Sequence, residues 1–269
     1  LGHSARDTFE MLSQTPLSME PKSFAVGFRV EHPQQFINET QYGEKYHDKL
    51  DAAPYKVTAN LPNGRGVYSF CMCPGGYVVN ASSEENRLAV NGMSYSDRGS
   101  SNANSAIIVS VTPEDFNGND ALCGVRFQRD LEAKAYALGN GKIPQQLFKD
   151  YCDNKASTGY GDFSSETKGA NTFTNLRGLL TKDMEQSFID GMHSFARHIP
   201  GFDRDDAILS GIESRTSSPI RMNRDKTFQS NISGIYPCGE GAGYAGGITS
   251  AAMDGMKVAE AIIQKYQAF

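Results

Sequence analysis

The sequence predicts an α+β protein, a mainly antiparallel sheet with helices packed against it. Three observations carry this. Short apolar runs broken by turn residues crowd positions 55–112. Apolar positions then recur at helical spacing in the middle of the chain. The last stretch changes character, with a glycine-rich turn at Gly239–Gly247 leading into a closing helix.

In order along the chain, Ser4 with Asp7 is a helix-start signal for a helix through Phe9, Met11 and Leu12, stopped near Pro16. Phe24, Val26, Phe28 and Val30 alternate as one face of a strand ended by His32-Pro33. Pro33 suits the start of a short helix through Phe36 and Ile37. Short strands are expected at Tyr55–Ala59, Gly66–Cys71, Tyr77–Asn80, Leu88–Asn91 and Ser105–Val111. Pro62-Asn63-Gly64, Pro74-Gly75-Gly76 and Asn91-Gly92 between them read as turns, which makes the region an antiparallel meander. Phe127, Leu131, Ala135 and Leu138 mark a helix ending at Gly139, and Pro144 opens another through Leu147 and Tyr151. Residues 153–171 read as an exposed loop. Met184, Phe188, Met192 and Phe195 mark a third amphipathic helix, stopped by Pro200-Gly201. Strands at Ala207–Ser214 and Gly234–Cys238 precede the turn, and Thr249–Tyr266 closes the chain with Ala252, Met256, Ala259 and Ile263 on one side.

Composition excludes several classes. With 39% hydrophobic residues in 269, the chain can bury a core, while a net charge of −5 and no basic stripe argue against nucleic acid as partner. No apolar run reaches the length of a membrane span, and no signal peptide opens the chain. Five cysteines, an odd count, suit reduced thiols in a cytoplasmic protein better than a disulfide framework. Histidines and cysteines lie too far apart for a metal set. Leu1-Gly2-His3-Ser4 reads as the tail of a strand running into a helix, so the chain is expected to be the carboxyl-terminal portion of a longer protein.

The passage Gly234-Ile235-Tyr236-Pro237-Cys238-Gly239-Glu240-Gly241-Ala242-Gly243-Tyr244-Ala245-Gly246-Gly247-Ile248 is where chemistry is expected. Glycines let a backbone approach a flat ring or sugar without a Cβ in the way, and a helix start offers free amides and a positive dipole end. Glu240 can accept hydrogen bonds from hydroxyls. A turn of this kind alone also serves as plain structure or binds phosphate. It matches neither the phosphate loop nor the dinucleotide fingerprint.

Gly234–Gly255 closely resembles the carboxyl-terminal flavin-binding motif of two-domain FAD oxidoreductases. The likeness extends to Leu1-Gly2-His3-Ser4-Ala5-Arg6-Asp7-Thr8, Val26-Gly27-Phe28-Arg29-Val30-Glu31-His32-Pro33, and Tyr68-Ser69-Phe70-Cys71-Met72-Cys73-Pro74-Gly75-Gly76-Tyr77. It also covers Asn91-Gly92-Met93-Ser94-Tyr95-Ser96, Arg98 and Gly211-Ile212-Glu213-Ser214-Arg215-Thr216-Ser217-Ser218-Pro219. Together these resemble the bacterial group described as uncharacterised FAD-dependent dehydrogenases, or NAD(FAD)-utilising dehydrogenases. The resemblance implies a remnant of a two-domain FAD-binding α/β fold at 1–21 and 206–269, and a substrate-side α+β domain at 22–205. It implies FAD as cofactor, held by Gly2, His3, Ser4, Arg6, Asp7, Gly239, Glu240, Gly241, Gly243, Gly246, Gly247 and Ile248, with NAD(P)H as an electron donor and a small molecule as substrate. The group's Gly-x-Gly-x-x-Gly loop, which cradles the pyrophosphate, does not occur in this sequence. The 269 residues alone are therefore expected to bind FAD weakly or not at all and to be inactive.

Four residues are catalytic candidates. Cys71 and Cys73, two apart on a strand, should share a face, where they serve either as packing or as a redox pair. Arg215 among Ser214, Thr216, Ser217 and Ser218 suits an anion or carbonyl clamp, and Arg98 near Tyr95 a substrate contact; either arginine equally suits an ion pair. His32 is read as a structural histidine, and His193 and His198 as solvent-facing. The rival reading is a non-catalytic ligand-binding or interaction domain in which any flavin is structural or sensory.

Overall fold

The computed structural model describes residues 1–266. It is an α+β chain whose strands pair mostly antiparallel. The chain divides into two compact units, and each takes its residues from separate stretches. The first comprises Leu1–Ala25, Val111–Arg129 and Arg215–Phe269, and the second Val26–Ser110 and Asp130–Ser214. Among the described residues no helix is long and apolar enough to cross a membrane.

The elements run as follows: α1 (Arg6–Ser13), β1 (Met19–Pro21), β2 (Phe24–Pro33), α2 (Gln34–Tyr42), β3 (Thr58–Asn60), β4 (Gly66–Cys73), β5 (Gly76–Asn80), β6 (Val90–Ser94) and β7 (Asn102–Val111). Then come α3 (Cys123–Gly139), β8 (Ile143–Leu147), α4 (Phe148–Cys152), β9 (Thr167–Lys168), β10 (Asn171–Phe173), α5 (Lys182–Phe195), β11 (Ile208–Glu213), β12 (Ile220–Met222) and α6 (Ile248–Lys265).

The second unit is built on a sheet of order β10-β8-β11-β2-β7-β4-β3, beside a small sheet β6-β5-β9. β2, β7 and β11 are buried almost throughout, so both faces of the sheet centre are covered. Strand alternation on β2 explains the two coverings. Phe28 meets Phe188 of α5 at 5.2 Å between ring centroids and Tyr151 of α4 at 5.4 Å, both edge-on. Burying Phe28, Phe188, Met184 and Met192 completely stabilises the layer by roughly 1.5–3 kcal/mol each. α5 forms because these apolar residues repeat at helical spacing, and Thr181 caps it by accepting from the Met184 amide. The odd positions of β2 carry Gly27, Arg29 and Glu31, and this second face is polar yet buried.

The first unit holds a small apolar core: Phe9 of α1, Leu17, Val125 of α3, Ile220 and Met222 of β12, and Ala242 of the glycine turn. Its sheet is the antiparallel pair β1 and β12; a parallel α/β sheet is not found among the described residues of this unit.

Several local expectations are corrected. Ile143–Leu147 is a strand, so Pro144 does not open a helix, and α4 starts only at Phe148. Gly234–Cys238 is irregular and not a strand. Ser4 does not cap α1; Ala5 is the flanking residue, and no side chain caps that end. Asn91-Gly92 lies inside β6 rather than in a turn, because a Cβ on Gly92 would sit 2.7 Å from Arg29 Nη1 and 2.2 Å from Asn104 Oδ1. The glycine clears room for a guanidinium. Residues 55–112 are not one meander: β3, β4 and β7 join the large sheet, while β5 and β6 form the small one with parallel β9, which falls in the expected loop 153–171. The 252/256/259/263 stripe of α6 includes exposed Met256 and Ile263, and the buried residue of that helix is Val258.

Candidate functional site

In the first unit the Gly2–Asp7 segment and the 239–248 turn come together. The Gly241 amide donates to the Leu1 carbonyl at 3.1 Å, and Ser218 Oγ donates to the Gly241 carbonyl at 3.0 Å. The His3 ring pairs through Nδ1 with Glu240 Oε1. That hydrogen bond, and the ring's charge when protonated, hold the Glu240 carboxyl below its usual range although partial burial opposes this. Glu240 is thus an ionised acceptor at neutral pH. His3 Nε2 is buried and meets no hydrogen-bond partner among the described residues. A buried polar atom without a partner is costly and points to a group that completes it.

The turn's glycines divide into two sets. Gly241 and Gly243 are required by the chain itself: a Cβ at Gly241 would lie 2.6 Å from the Leu1 carbonyl oxygen, and one at Gly243 2.4 Å from that of Ile220. Gly239 has a φ of +73°. Gly246 and Gly247 have no such reason. A Cβ at Gly246 would meet nothing within 4 Å, one at Gly247 only Ser250 Oγ at 3.7 Å, and neither has a positive φ. Both are exposed, as are Ile248, Thr249 and Ser250 that start α6.

The remaining expected contacts are more ordinary. Arg6 is buried and donates to Gln128 Oε1 at 3.1 Å. Asp7 accepts from the Thr8 amide at 2.8 Å and is exposed. Arg215 Nη1 donates to Ser4 Oγ at 3.3 Å. A small apolar cavity of about 230 Å³ flanks the turn, lined in part by Leu1, Leu12, Met222, Ile235 and Ala242.

Sequence reasoning missed Asp254. From α6 it accepts the Gly239 amide at 2.8 Å and takes both arms of Arg224 at 2.7 and 2.9 Å, pinning the start of the turn. Arg224 also donates to the Pro237 carbonyl and lies 3.6 Å from the Tyr244 ring centroid. The signal was an acid inside an otherwise apolar helix face.

In the second unit, Arg29 is fully buried. Its Nε and Nη2 hold Glu213 at 3.0 Å each, Nη2 also reaches Asn91 Oδ1 at 2.8 Å, and Nη1 reaches the Cys71 carbonyl at 2.7 Å and Asn104 Oδ1 at 3.3 Å. Burial disfavours the charge, but Glu213 outweighs this and raises the guanidinium above its ordinary range. Glu31 lies in a second buried cluster, accepting from Asn102, Ser165 and the Glu166 amide, and burial pushes its carboxyl up. Cys71 is exposed and Cys73 buried, and the pairing of β4 with β7 shifts register between Phe70 and Cys73. Arg98 is exposed in a turn, its amide donating to the Tyr95 carbonyl at 3.1 Å.

Residues 23–216 match the family model for the FAD-dependent protein, C-terminal domain-like group. The chain belongs to this family. The family match covers β2 through β11, and hence the whole of the second unit. A protein of Clostridium beijerinckii, described only as an uncharacterized protein, is 50% identical over 271 residues. That alignment takes in 99% of this chain and 51% of the relative, so this C-terminal domain-like chain spans about half the length of the curated relative it matches.

Proposed function

We propose that the chain is the carboxyl-terminal part of an FAD-dependent oxidoreductase, with residues 1–21 and 206–269 contributing to its FAD-binding domain and 22–205 facing the substrate. The observation that carries this is the pair of unexplained glycines, Gly246 and Gly247, open to solvent at the start of α6, in a chain of an FAD-dependent family. The buried, unpartnered His3 Nε2 supports it. These features fit the polyol and ring edge of a flavin: a surface without Cβ atoms, a positive helix end and an ionised acceptor.

FAD would supply the hydride or electron transfer itself. Glu240, kept ionised by His3, would accept from hydroxyls of the bound group. His3 Nε2 would hydrogen-bond to it, and Gly246 and Gly247 would let it close on the backbone. Asp254 and Arg224 hold the turn in shape and would touch nothing of the ligand. The donor would be NADH or NADPH, and the substrate a small molecule.

The test is the visible spectrum of the longer protein that contains this chain, with Gly246→Val beside it. The expected result is one bound flavin per chain, bleached by NADH or NADPH and lost in Gly246→Val without a fall in melting temperature. A colourless parent protein overturns the FAD reading. A variant that keeps its flavin at parental affinity overturns the assignment of the turn. Bound flavin that no donor reduces makes the group structural or sensory instead.

A further inference from the structure

The flavin reading leaves unused the place in the second unit where β4 breaks its pairing. In a flat strand, residues two apart have Cα atoms about 6.5 Å from one another, near the outer limit a disulfide spans. β4 is not flat at Cys71. That residue has a φ of +47°, left-handed backbone that a non-glycine residue rarely takes, and the register with β7 shifts there. The curl folds Cys73 Sγ back over the Cys71 carbonyl at 3.4 Å, so the Cys73 thiol turns toward Cys71.

The curl is held rather than loose. Arg29 Nη1 donates to the same Cys71 carbonyl at 2.7 Å, and Arg29 is itself fixed by Glu213. Asn104, opposite Cys73 on β7, is fully buried with its Nδ2 unpartnered among the described residues. The two sulfurs differ in kind: Cys71 is exposed and Cys73 buried. The hydrogen bond from Cys73, with help from Arg29 and against partial burial, pulls the Cys71 thiol down to about 5, while the same bond and burial push Cys73 up. An accessible thiolate beside a protonated, protected partner is the division of labour that thiol–disulfide exchange needs.

We propose that Cys71 and Cys73 form a redox-active dithiol that exchanges with low-molecular-weight disulfides, Cys71 attacking and Cys73 resolving. The Cys71 thiolate attacks one sulfur of the incoming disulfide. That S–S bond breaks, and one thiolate leaves and takes a proton from water. Cys73 gives its proton to solvent and attacks Cys71 Sγ, expelling the second thiolate. Two protein thiols are oxidised to a disulfide, and the external disulfide is reduced to two thiols. The step uses no flavin and stands whether or not the chain binds one.

Glutathione disulfide is the probe, added to the 269-residue chain. Peptide mapping by mass spectrometry separates these cysteines from exposed Cys238. The wild type should end with a Cys71–Cys73 disulfide and no glutathione retained on either. Cys73→Ser should trap one glutathione on Cys71, and Cys73→Ala covers the case in which the serine does not fold. Cys71→Ser should leave Cys73 unmodified. Alkylation of Cys71 by iodoacetamide should level off above about pH 6, whereas an ordinary thiol near 8.5 gains about tenfold per pH unit there. A Cys73 variant that folds and collects no adduct on Cys71 overturns the proposal. So does a wild-type chain whose Cys71 adduct persists, or a Cys71 alkylation rate that climbs like that of an ordinary thiol.

Discussion

Replacing Glu213 by Gln removes one charge from a pair whose side chains are 0% and 3% exposed. The shape of the site is kept, so packing changes little, and solvent cannot screen what remains. The two contacts at 3.0 Å currently offset the cost of burying the Arg29 guanidinium. With Gln, one of them meets an amide NH2 instead of an oxygen, and a full positive charge stays buried. Breaking one side of a buried pair costs about 3–5 kcal/mol. Urea unfolding followed by circular dichroism is the assay; with a slope of ~2.5 kcal/mol per molar, the midpoint should fall by roughly 1–2 M at unchanged slope. The companion variant Arg29→Met/Glu213→Leu removes both charges and should recover a large part of the loss, because the unpaired charge rather than the missing attraction dominates. A shift below about 0.4 M in Glu213→Gln, equivalent to ~1 kcal/mol, would refute the reasoning, since it would mean that water reaches Arg29.

Two further outcomes follow from buried groups. Burial lowers His32 to about 4 from a usual 6.5, so the unfolded chain takes a proton first as pH falls. Stability should therefore drop between about pH 6.5 and 4, by about 3 kcal/mol in total. His32→Asn should flatten that slope, and an identical slope in the variant would count against it. A Cβ at Gly27 would lie 2.0 Å from the Ile107 carbonyl oxygen, so Gly27→Ala must push β2 and β7 apart and should cost about 3 kcal/mol. Gly66→Ala, whose nearest neighbours are 3.9 Å away, should change the urea midpoint little; equal losses in both variants would rule out close approach as the reason for Gly27.

Periodicity made α3 and α5 legible and alternation made the apolar face of β2 legible, because there the core takes one kind of residue; α6 was legible as a helix, but its 252/256/259/263 stripe is not its buried side. What failed was the polar interior. Ile143-Pro144-Gln145-Gln146-Leu147 contains two glutamines that no hydrophobic pattern marks as core. Yet both are fully buried and hydrogen-bonded, Gln145 to Ser165, Thr167 and Ser210, and Gln146 to the Lys155 carbonyl and Asn175. Gly92 looked like a turn because a side chain sixty residues upstream needed its space. Arg29 and Glu213 were each visible as a charge inside an apolar strand, but their pairing is a tertiary fact. The glycine turn was legible as a motif, while its separation into packed and open glycines depends on the distant backbone of Leu1 and Ile220.

The three-stretch make-up of the first unit bears on how the chain emerges from the ribosome. Phe9 and Leu17 are made before any of the second unit, yet three of the residues they cluster with, Ile220, Met222 and Ala242, come some two hundred positions later. Until then those early side chains have no permanent home, while the second unit can close as soon as Ser214 is out. Synthesis interrupted between residues 214 and 242 would leave exposed greasy side chains beside a closed second unit, the kind of intermediate that holdase chaperones bind.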